Sequence, residues 1–196
     1  MNIEILILAA GASARMRGAD KLLEPVGNQP MISHVARTAL ATGCPVSITL
    51  ADDRPDRHAA LLGLPVRQII VPDPAAGMTA SLQAGLIALS MTASVMVLLA
   101  DMPDLTTGDL NLMLAVAREN PDLILRACGT DGQSGHPVLF PPWVHPEIIA
   151  LQGDPGPREV IKRYQSRLRM VPLDGARATT DLDTPEDWAA WRAAKG

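Results

Sequence analysis

Four short apolar runs punctuate the first half of the chain, separated by segments of helical spacing, and this alternation restricts the fold more than any other feature. The runs are Ile3–Leu8, Val46–Leu50, residues 66–71 and residues 95–99. They are rich in Ile, Leu and Val with few polar interruptions, the pattern of strands buried on both faces in a parallel sheet. The 95–99 run is the most hydrophobic and is expected at the sheet centre. The intervening segments predict helices over 30–43, 55–62 and 78–90, the last with Met78, Leu82, Leu86 and Leu89 at helical spacing. Strand and helix in alternation specify an open α/β sheet with right-handed crossovers.

The second half reads less regularly. Thr107 is expected to cap a helix running to about residue 119, and 123–126 reads as a strand. A polar loop at 129–135 leads to a short apolar run at 138–140. Helical stretches follow at 142–151 and 157–165, then a late strand at 168–171. Thr184-Pro185-Glu186-Asp187 opens the last helix with a Thr cap and acids in its first turn. Asp104, after Pro103, reads as a turn or capping residue. No repeat or long linker divides the chain, so a single domain over residues 1–196 is expected.

Composition excludes several classes. Of 196 residues, 47% are apolar and 19% charged, which is incompatible with disorder. A chain of this size hides about 70% of its extended surface on folding. Aromatics are 3% and the net charge is −4, so neither a base-stacking platform nor a basic footprint for nucleic acid or membrane exists. Cys44 and Cys128 are too few for a disulfide framework or a Cys-rich zinc site. They suit burial in a reducing compartment. The uncharged Met-Asn start and the short apolar run after it do not read as a signal peptide, and a cytoplasmic protein is expected. The uncharged stretch 74–100 is broken by Gly, Ser, Thr and Gln and divides better into a helix and a strand than into a membrane span.

Chemistry concentrates at strand ends. The first strand runs into Leu8-Ala9-Ala10-Gly11-Ala12-Ser13-Ala14-Arg15-Met16-Arg17-Gly18-Ala19-Asp20-Lys21. Small residues let backbone N–H groups approach an anion, and three cations within seven residues of an acidic chain suit a triphosphate. The loop is neither a Walker A nor G-x-G-x-x-G. The central strand runs into Asp101, a carboxylate at the ligand-binding edge and a candidate for Mg²⁺ on substrate phosphates. Gly77 and Ser81 open a helix whose free N–H groups would hold a base edge or phosphate. His136 stands at a strand entry, where a structural hydrogen bond is its simplest role. Gly153-Asp154-Pro155-Gly156-Pro157-Arg158 suits an anion or a tight loop.

Taken in order, these segments resemble the MobA-like nucleotidyltransferases, and most closely their molybdenum cofactor cytidylyltransferase branch. The matching stretches are Leu8-Ala-Ala-Gly-Ala-Ser-Ala-Arg-Met, Gly18-x-x-Lys21-Leu-Leu, Gly77-Met-x-x-Ser81-Leu, Leu99-Ala-Asp101-Met-Pro, Gly135-His-Pro-Val-Leu-Phe, Gly153-Asp-x-Gly156-x-Arg158 and Asp181-x-Asp183-Thr-Pro-Glu-Asp. Arg17 lengthens the first loop by one residue relative to the family, and Thr79 stands where Gly is common. The resemblance implies a three-layer Rossmann-like nucleotidyltransferase fold with a mostly parallel sheet. It implies transfer of CMP from CTP to molybdenum-bound molybdopterin, with pyrophosphate released. Lys21 and Arg15 would neutralise the triphosphate, and Asp101 and Asp183 would hold Mg²⁺, or Mn²⁺ in its place. Leu8, Ala9, Ala10, Gly11, Ser13, Arg15, Lys21, Gly77 and Ser81 would bind the nucleotide, and His136, Asp154, Gly156 and Arg158 the acceptor. Partners would be CTP, the molybdopterin substrate and a molybdenum hydroxylase or its maturation chaperone. Transfer to a sugar or polyol phosphate, or a non-catalytic cofactor-carrying role, are the competing readings. Related guanylyltransferases carry Gly where Ala10 stands, which points to CTP rather than GTP.

Overall fold

A computed structural model describes residues 1–152 and 156–195. The chain begins with β1 (Ile3–Leu8), followed by a small antiparallel ribbon of β2 (Pro25–Val26) and β3 (Gln29–Pro30). Next come α1 (Met31–Leu40), β4 (Val46–Leu50), α2 (Pro55–Ala60), β5 (Arg67–Ile70), α3 (Met78–Ala88) and β6 (Ser94–Leu99). The second half supplies α4 (Thr107–Glu119), β7 (Ile124–Cys128), β8 (Ser134–Phe140), α5 (His145–Ile149), α6 (Pro157–Arg163), β9 (Leu168–Pro172) and α7 (Pro185–Lys195).

Seven strands form one sheet in the order β5-β4-β1-β6-β8-β7-β9. Only β8 runs against its neighbours; the other pairings are parallel. The chain steps outward from β1 to β4 and β5, then returns to place β6 on the other side of β1. The crevice beyond the carboxyl ends of β1 and β6 is therefore the switch point where open α/β sheets bind ligands.

Period-two geometry explains why the strands tolerate no polar face. Ile5, Ile7, Met96 and Leu98 face a core shared with Met31, Ile32, Leu110 and Trp188. Leu6, Val95 and Val97 face the opposite core with Leu82, Leu86, Ile148 and Ile161. Helix α3 lies so close to β1 that a Cβ on Gly85 would stand 2.3 Å from the Leu6 side chain. Cys128 is buried and Cys44 half-buried. None of the described helices is long and apolar enough to cross a membrane.

Several local expectations need correction. The α4 cap is Thr106, not Thr107. Thr106 Oγ1 accepts from the Asp109 N–H at 3.2 Å while Asp109 accepts from the Thr106 N–H at 2.9 Å, and Thr107 donates instead to the Thr38 carbonyl. Asp104 lies in a turn, as expected, but caps no described helix; its side chain accepts from Trp191 Nε1 at 3.0 Å and pairs with Lys195 at 2.8 Å, anchoring α7. Strand β8 begins at Ser134 rather than at residue 138. The absence of a side chain at Gly135 lets the backbone run against Ala178, whose carbonyl oxygen would lie 1.7 Å from a Cβ there and accepts from the His136 N–H at 2.8 Å. The 142–151 stretch is not one helix but a short 3-10 turn, Pro142–Val144, leading into α5. Met78, expected on the buried stripe of α3, is 51% exposed at the helix start.

Candidate functional site

The loop after β1 is held from beneath by a residue the sequence did not single out. Arg57 of α2 is completely buried. Its Nε donates to Asp20 Oδ2 at 2.7 Å and its Nη2 to Asp20 Oδ1 at 2.9 Å, a bidentate pair. Nη1 donates to the Ala9 carbonyl at 2.6 Å and Nη2 to Ser13 Oγ at 3.0 Å. Burial works against the Asp20 charge, but Arg57 outweighs it and the carboxyl sits below its ordinary pKa. Asp20 Oδ1 also accepts from the Leu22 N–H at 3.0 Å and the Ser13 hydroxyl at 3.1 Å. The loop's ends are thus fixed around Lys21. Between them Ser13 and Arg17 adopt left-handed backbone, with φ of 54° and 53°, flanking a turn whose buried Met16 plugs into the core.

Lys21 joins two distant parts of the chain. Its Nζ donates to Asp101 Oδ2 at 2.5 Å and to Asp183 Oδ1 at 2.6 Å. Arg15 pairs with the other Asp183 oxygen at 2.6 Å. The Lys21, Asp101 and Asp183 side chains are only 15%, 14% and 16% exposed. Burial disfavours the ammonium, but Asp101 and then Asp183 overcome it and raise the Lys21 pKa above its usual value. Asp183 is itself held by the start of α7. Asp187 accepts from the Asp183 N–H at 3.1 Å and from the Thr184 N–H at 2.8 Å, and Thr184 accepts from the Asp187 N–H at 3.1 Å. The cap expected at Thr184 is therefore present, and it orients the carboxylate beside it.

The donor set suits a hard divalent cation. Asp101 and Asp183 already share one positive charge, and Asp101 Oδ1 is buried without a hydrogen-bond partner. No group of three or more His, Cys, Asp and Glu side chains converges among the described residues. A protein site of one or two carboxylates completed by substrate phosphates and water is the usual arrangement for Mg²⁺.

A cavity of about 350 Å³ opens beside this cluster, lined by Leu8, Ala9, Ala10, Gly11, Lys21, Gly77, Ser81 and Asp101. Gly77 turns the chain into α3 with φ 87°, a conformation that favours glycine. Ser81 is buried and its hydroxyl leans back on the Gly77 carbonyl at 3.5 Å. Ala10 is buried in a small cluster with Ala51 and Val71, backed by Ala80 and Ala84. Ser13 and Arg15 lie instead on an adjoining cavity of about 250 Å³ with Gly11, Lys21 and Asp183.

A second region lies across Leu8 and Met78, beyond β6. One cavity of about 290 Å³ is apolar and includes Leu82, Val97, Val138 and Phe140. A neighbouring one of about 240 Å³ includes Gln133, Gly135 and Asp181. Both are lined by Arg126, His136 and Arg158, and Gly156 lies on the first. Burial pushes the His136 pKa down to about 4, with a hydrogen bond to the Val97 backbone only partly offsetting it, so the ring is neutral at pH 7. Burial, then Arg158, lowers the Arg126 pKa. Burial, then Asp101 and Asp183, raises that of Asp181. Asp154 lies outside the described residues.

The structure thus brings together every described residue of the expected set, in two neighbouring groups. Sequence reasoning missed Arg57 and Arg126. A single arginine on a short helix or a strand looks like a solvated charge, and Asp20 lies far from Arg57 along the chain. The lone signal for Arg126 is a cation inside an otherwise apolar strand.

An open sheet with a small-residue loop at its switch point, and a cation bridging two carboxylates there, suits the binding of a phosphorylated ligand. The chain belongs to the MobA-like NTP transferase family, whose domain matches residues 5–168, and it is a nucleotidyltransferase. A probable molybdenum cofactor guanylyltransferase from Synechococcus elongatus is 29% identical over 199 residues, covering 97% of this chain and 98% of that protein. A molybdenum cofactor guanylyltransferase from Cupriavidus metallidurans is 32% identical over 196 residues, covering 95% and 92%. The bifunctional protein GlmU of Leifsonia xyli is 30% identical over 122 residues, and the match spans only 25% of its length. The crystal structure of Rv0371c from Mycobacterium tuberculosis superposes with a TM-score of 0.84 at 25% identity, covering 100% of this chain and 98% of that one. A further structure of Rv0371c is a complex with manganese, with a TM-score of 0.80, 25% identity and 96% coverage of each chain.

Proposed function

We propose that the chain transfers CMP from CTP to the phosphate of molybdenum-bound molybdopterin, giving the cytosine dinucleotide cofactor and pyrophosphate. The observation that carries this reading is Lys21, bonded to both Asp101 and Asp183 at the mouth of the Leu8–Gly11 cavity. An acceptor phosphate oxygen would attack the α-phosphorus as its bond to the bridging oxygen of the leaving pyrophosphate breaks. Such a reaction asks the protein for position and charge rather than covalent chemistry. Lys21 and Arg15 would neutralise the triphosphate and the departing pyrophosphate. Asp101 and Asp183 would hold Mg²⁺ or Mn²⁺, consistent with the manganese complex of Rv0371c. The ion would withdraw charge from the phosphate oxygens. Loop 8–12 and the Gly77–Ser81 turn would hold the nucleotide, and the Arg126–His136–Arg158 region the acceptor.

The base preference rests on Ala10. Ala10 lines the cavity and is buried with Ala51 and Val71 against Ala80 and Ala84, where its methyl would narrow the site relative to Gly. A pyrimidine fits the narrower space. A second reading, GMP transfer from GTP, is favoured by the names of the two full-length relatives. A sugar or polyol phosphate acceptor has no feature of the site in its favour. A non-catalytic carrier has no need of both Lys21 and Asp101.

The test is pyrophosphate release from CTP with Mg²⁺, with and without molybdenum-loaded molybdopterin. Acceptor-dependent release is expected. Release only with a sugar or polyol phosphate, or none with any nucleotide and acceptor pair, would overturn the proposal.

A further inference from the structure

The backbone N–H groups of Ala10, Gly11, Ala12 and Ser13 donate to no protein acceptor among the described residues. Ala10 is buried, and a buried backbone N–H is rarely left unpaired. The end of the sheet shows where it points. The Ala9 N–H donates to the Thr49 carbonyl of β4 at 3.0 Å, and the Ala100 N–H, just past β6, donates to the Leu8 carbonyl at 3.2 Å. Successive peptide groups therefore face β4 and β6 in turn. The Ala9 carbonyl lies on the β4 side. The Ala10 N–H, at the other end of the same planar trans peptide, points the opposite way, toward the crevice where Asp101 follows β6.

One side chain holds both ends of this run of free donors. Arg57 Nη1 donates to the Ala9 carbonyl at 2.6 Å and so fixes the peptide that carries the Ala10 N–H. Ser13 supplies the second, independent observation. It sits at φ 54° and ψ 32°, a left-handed conformation uncommon outside glycine that persists only where the surroundings impose it. Arg57 Nη2 donates to Ser13 Oγ at 3.0 Å, and the Ser13 hydroxyl donates in turn to Asp20 at 3.1 Å. Arg57 acts from behind the loop: it is completely buried and lines neither cavity of the nucleotide side. Its charge is matched by Asp20, so what it gives the loop is geometry rather than field.

We propose that Arg57 is a positioning residue for nucleotide binding. By drawing the Ala9 carbonyl and the Ser13 side chain toward α2, it turns the Ala10 N–H into the crevice and sets the bend that presents the free N–H groups to a triphosphate. Its effect goes beyond anchoring the loop, since it sets affinity as well as stability. This rests on the nucleotide reading above and adds to it a residue that touches no substrate.

The test measures CTP and GTP binding side by side, calorimetrically, on the full chain with Mg²⁺, together with urea unfolding of each variant. In Arg57→Met/Asp20→Asn both charges are gone and the field at the site is unchanged. Stability is expected to recover relative to Arg57→Met alone, because no buried carboxylate is left unpaired. Nucleotide affinity is expected to stay roughly 10-fold or more below wild type, the weight of a charge-assisted contact, with the bound stoichiometry unchanged. Arg57→Lys keeps the charge without the planar fork and should lie between the two. CTP and GTP should weaken by the same factor, since the triphosphate is common to both. If Arg57→Met does not fold, the double variant and Arg57→Lys carry the test. Affinity that recovers together with stability, or a wild type that binds neither nucleotide, would overturn the proposal. A wild type that prefers GTP, with the same loss in the variants, counts against the cytidylyl reading alone.

Discussion

The two halves of the site treat charge in opposite ways. On the nucleotide side the charges are paired, Arg57 with Asp20 and Lys21 with Asp101 and Asp183, although Asp101 Oδ1 is left without a hydrogen-bond partner. In the second region Arg126 and Arg158 stand without described carboxylate partners and His136 Nδ1 without a hydrogen-bond partner. Charges paired in this way are held in place before substrate arrives, the condition under which fixed charges stabilise a transition state without reorganising. The second region holds cations without described carboxylate partners, open to an anionic ligand. On the proposed assignment, preorganisation would serve the shared chemistry of the family and unmatched charge the recognition of an acceptor.

The contrast breaks first at Arg57. Arg57→Met leaves Asp20 buried without its partner, and the loss of one member of such a pair costs about 3–5 kcal/mol. Urea unfolding should show that loss, and Asp20→Asn a smaller one; a change within about 0.5 kcal/mol would mean the pair does not hold the loop. Asp101→Asn should keep the fold but lower turnover roughly 10²–10³-fold, the weight of one comparable electrostatic element. Near-normal turnover at ordinary Mg²⁺ would remove Asp101 from the mechanism.

On the acceptor side the sensitive variable is pH. The His136 pKa of about 4 in the folded chain lies below the ordinary 6.5. The unfolded chain therefore binds the proton first as pH falls. Stability from the neutral ring is complete above pH 6.5 and lost progressively toward pH 4. Between pH 7 and pH 5 this amounts to about 2 kcal/mol. Urea unfolding at the two pH values should show that difference in the wild type and a smaller one in His136→Phe. Equal pH dependence in both would place the sensitivity elsewhere.

The same contrast explains what could be read in advance. Strands β1 and β6 were legible because both of their faces are apolar, and the loops that follow them carry their chemistry in adjacent residues. Asp183 is reached only through the family resemblance; by itself, its place before the Thr184 cap reads as a turn residue. Strand β8 was not fully legible: its first residues pair with β7 across an irregular register, Ser134 opposite Cys128, and the His136 N–H bonds the Ala178 carbonyl, a contact distant in sequence. The Thr106 cap was misread by one residue because Thr106 and Thr107 offer the same hydroxyl, and only the reciprocal bond from Asp109 distinguishes them. Arg57 and Arg126 act through partners that folding alone brings near. Local pattern reveals loops and strands; it does not reveal which single charges will be buried together.

The smallest expected effect bears on the largest claim. One methyl at position 10 supports about 1–3 kcal/mol, or 10–200-fold discrimination between bases. Ala10→Gly should therefore erode the base preference without abolishing activity. The direct measurement is competition: CTP and GTP at equal concentration, molybdenum-loaded molybdopterin and Mg²⁺, with the dinucleotide products resolved by mass. The account predicts the cytosine dinucleotide as the dominant product of the wild type and a shift toward guanine in Ala10→Gly. A wild type that makes chiefly the guanine dinucleotide would contradict it.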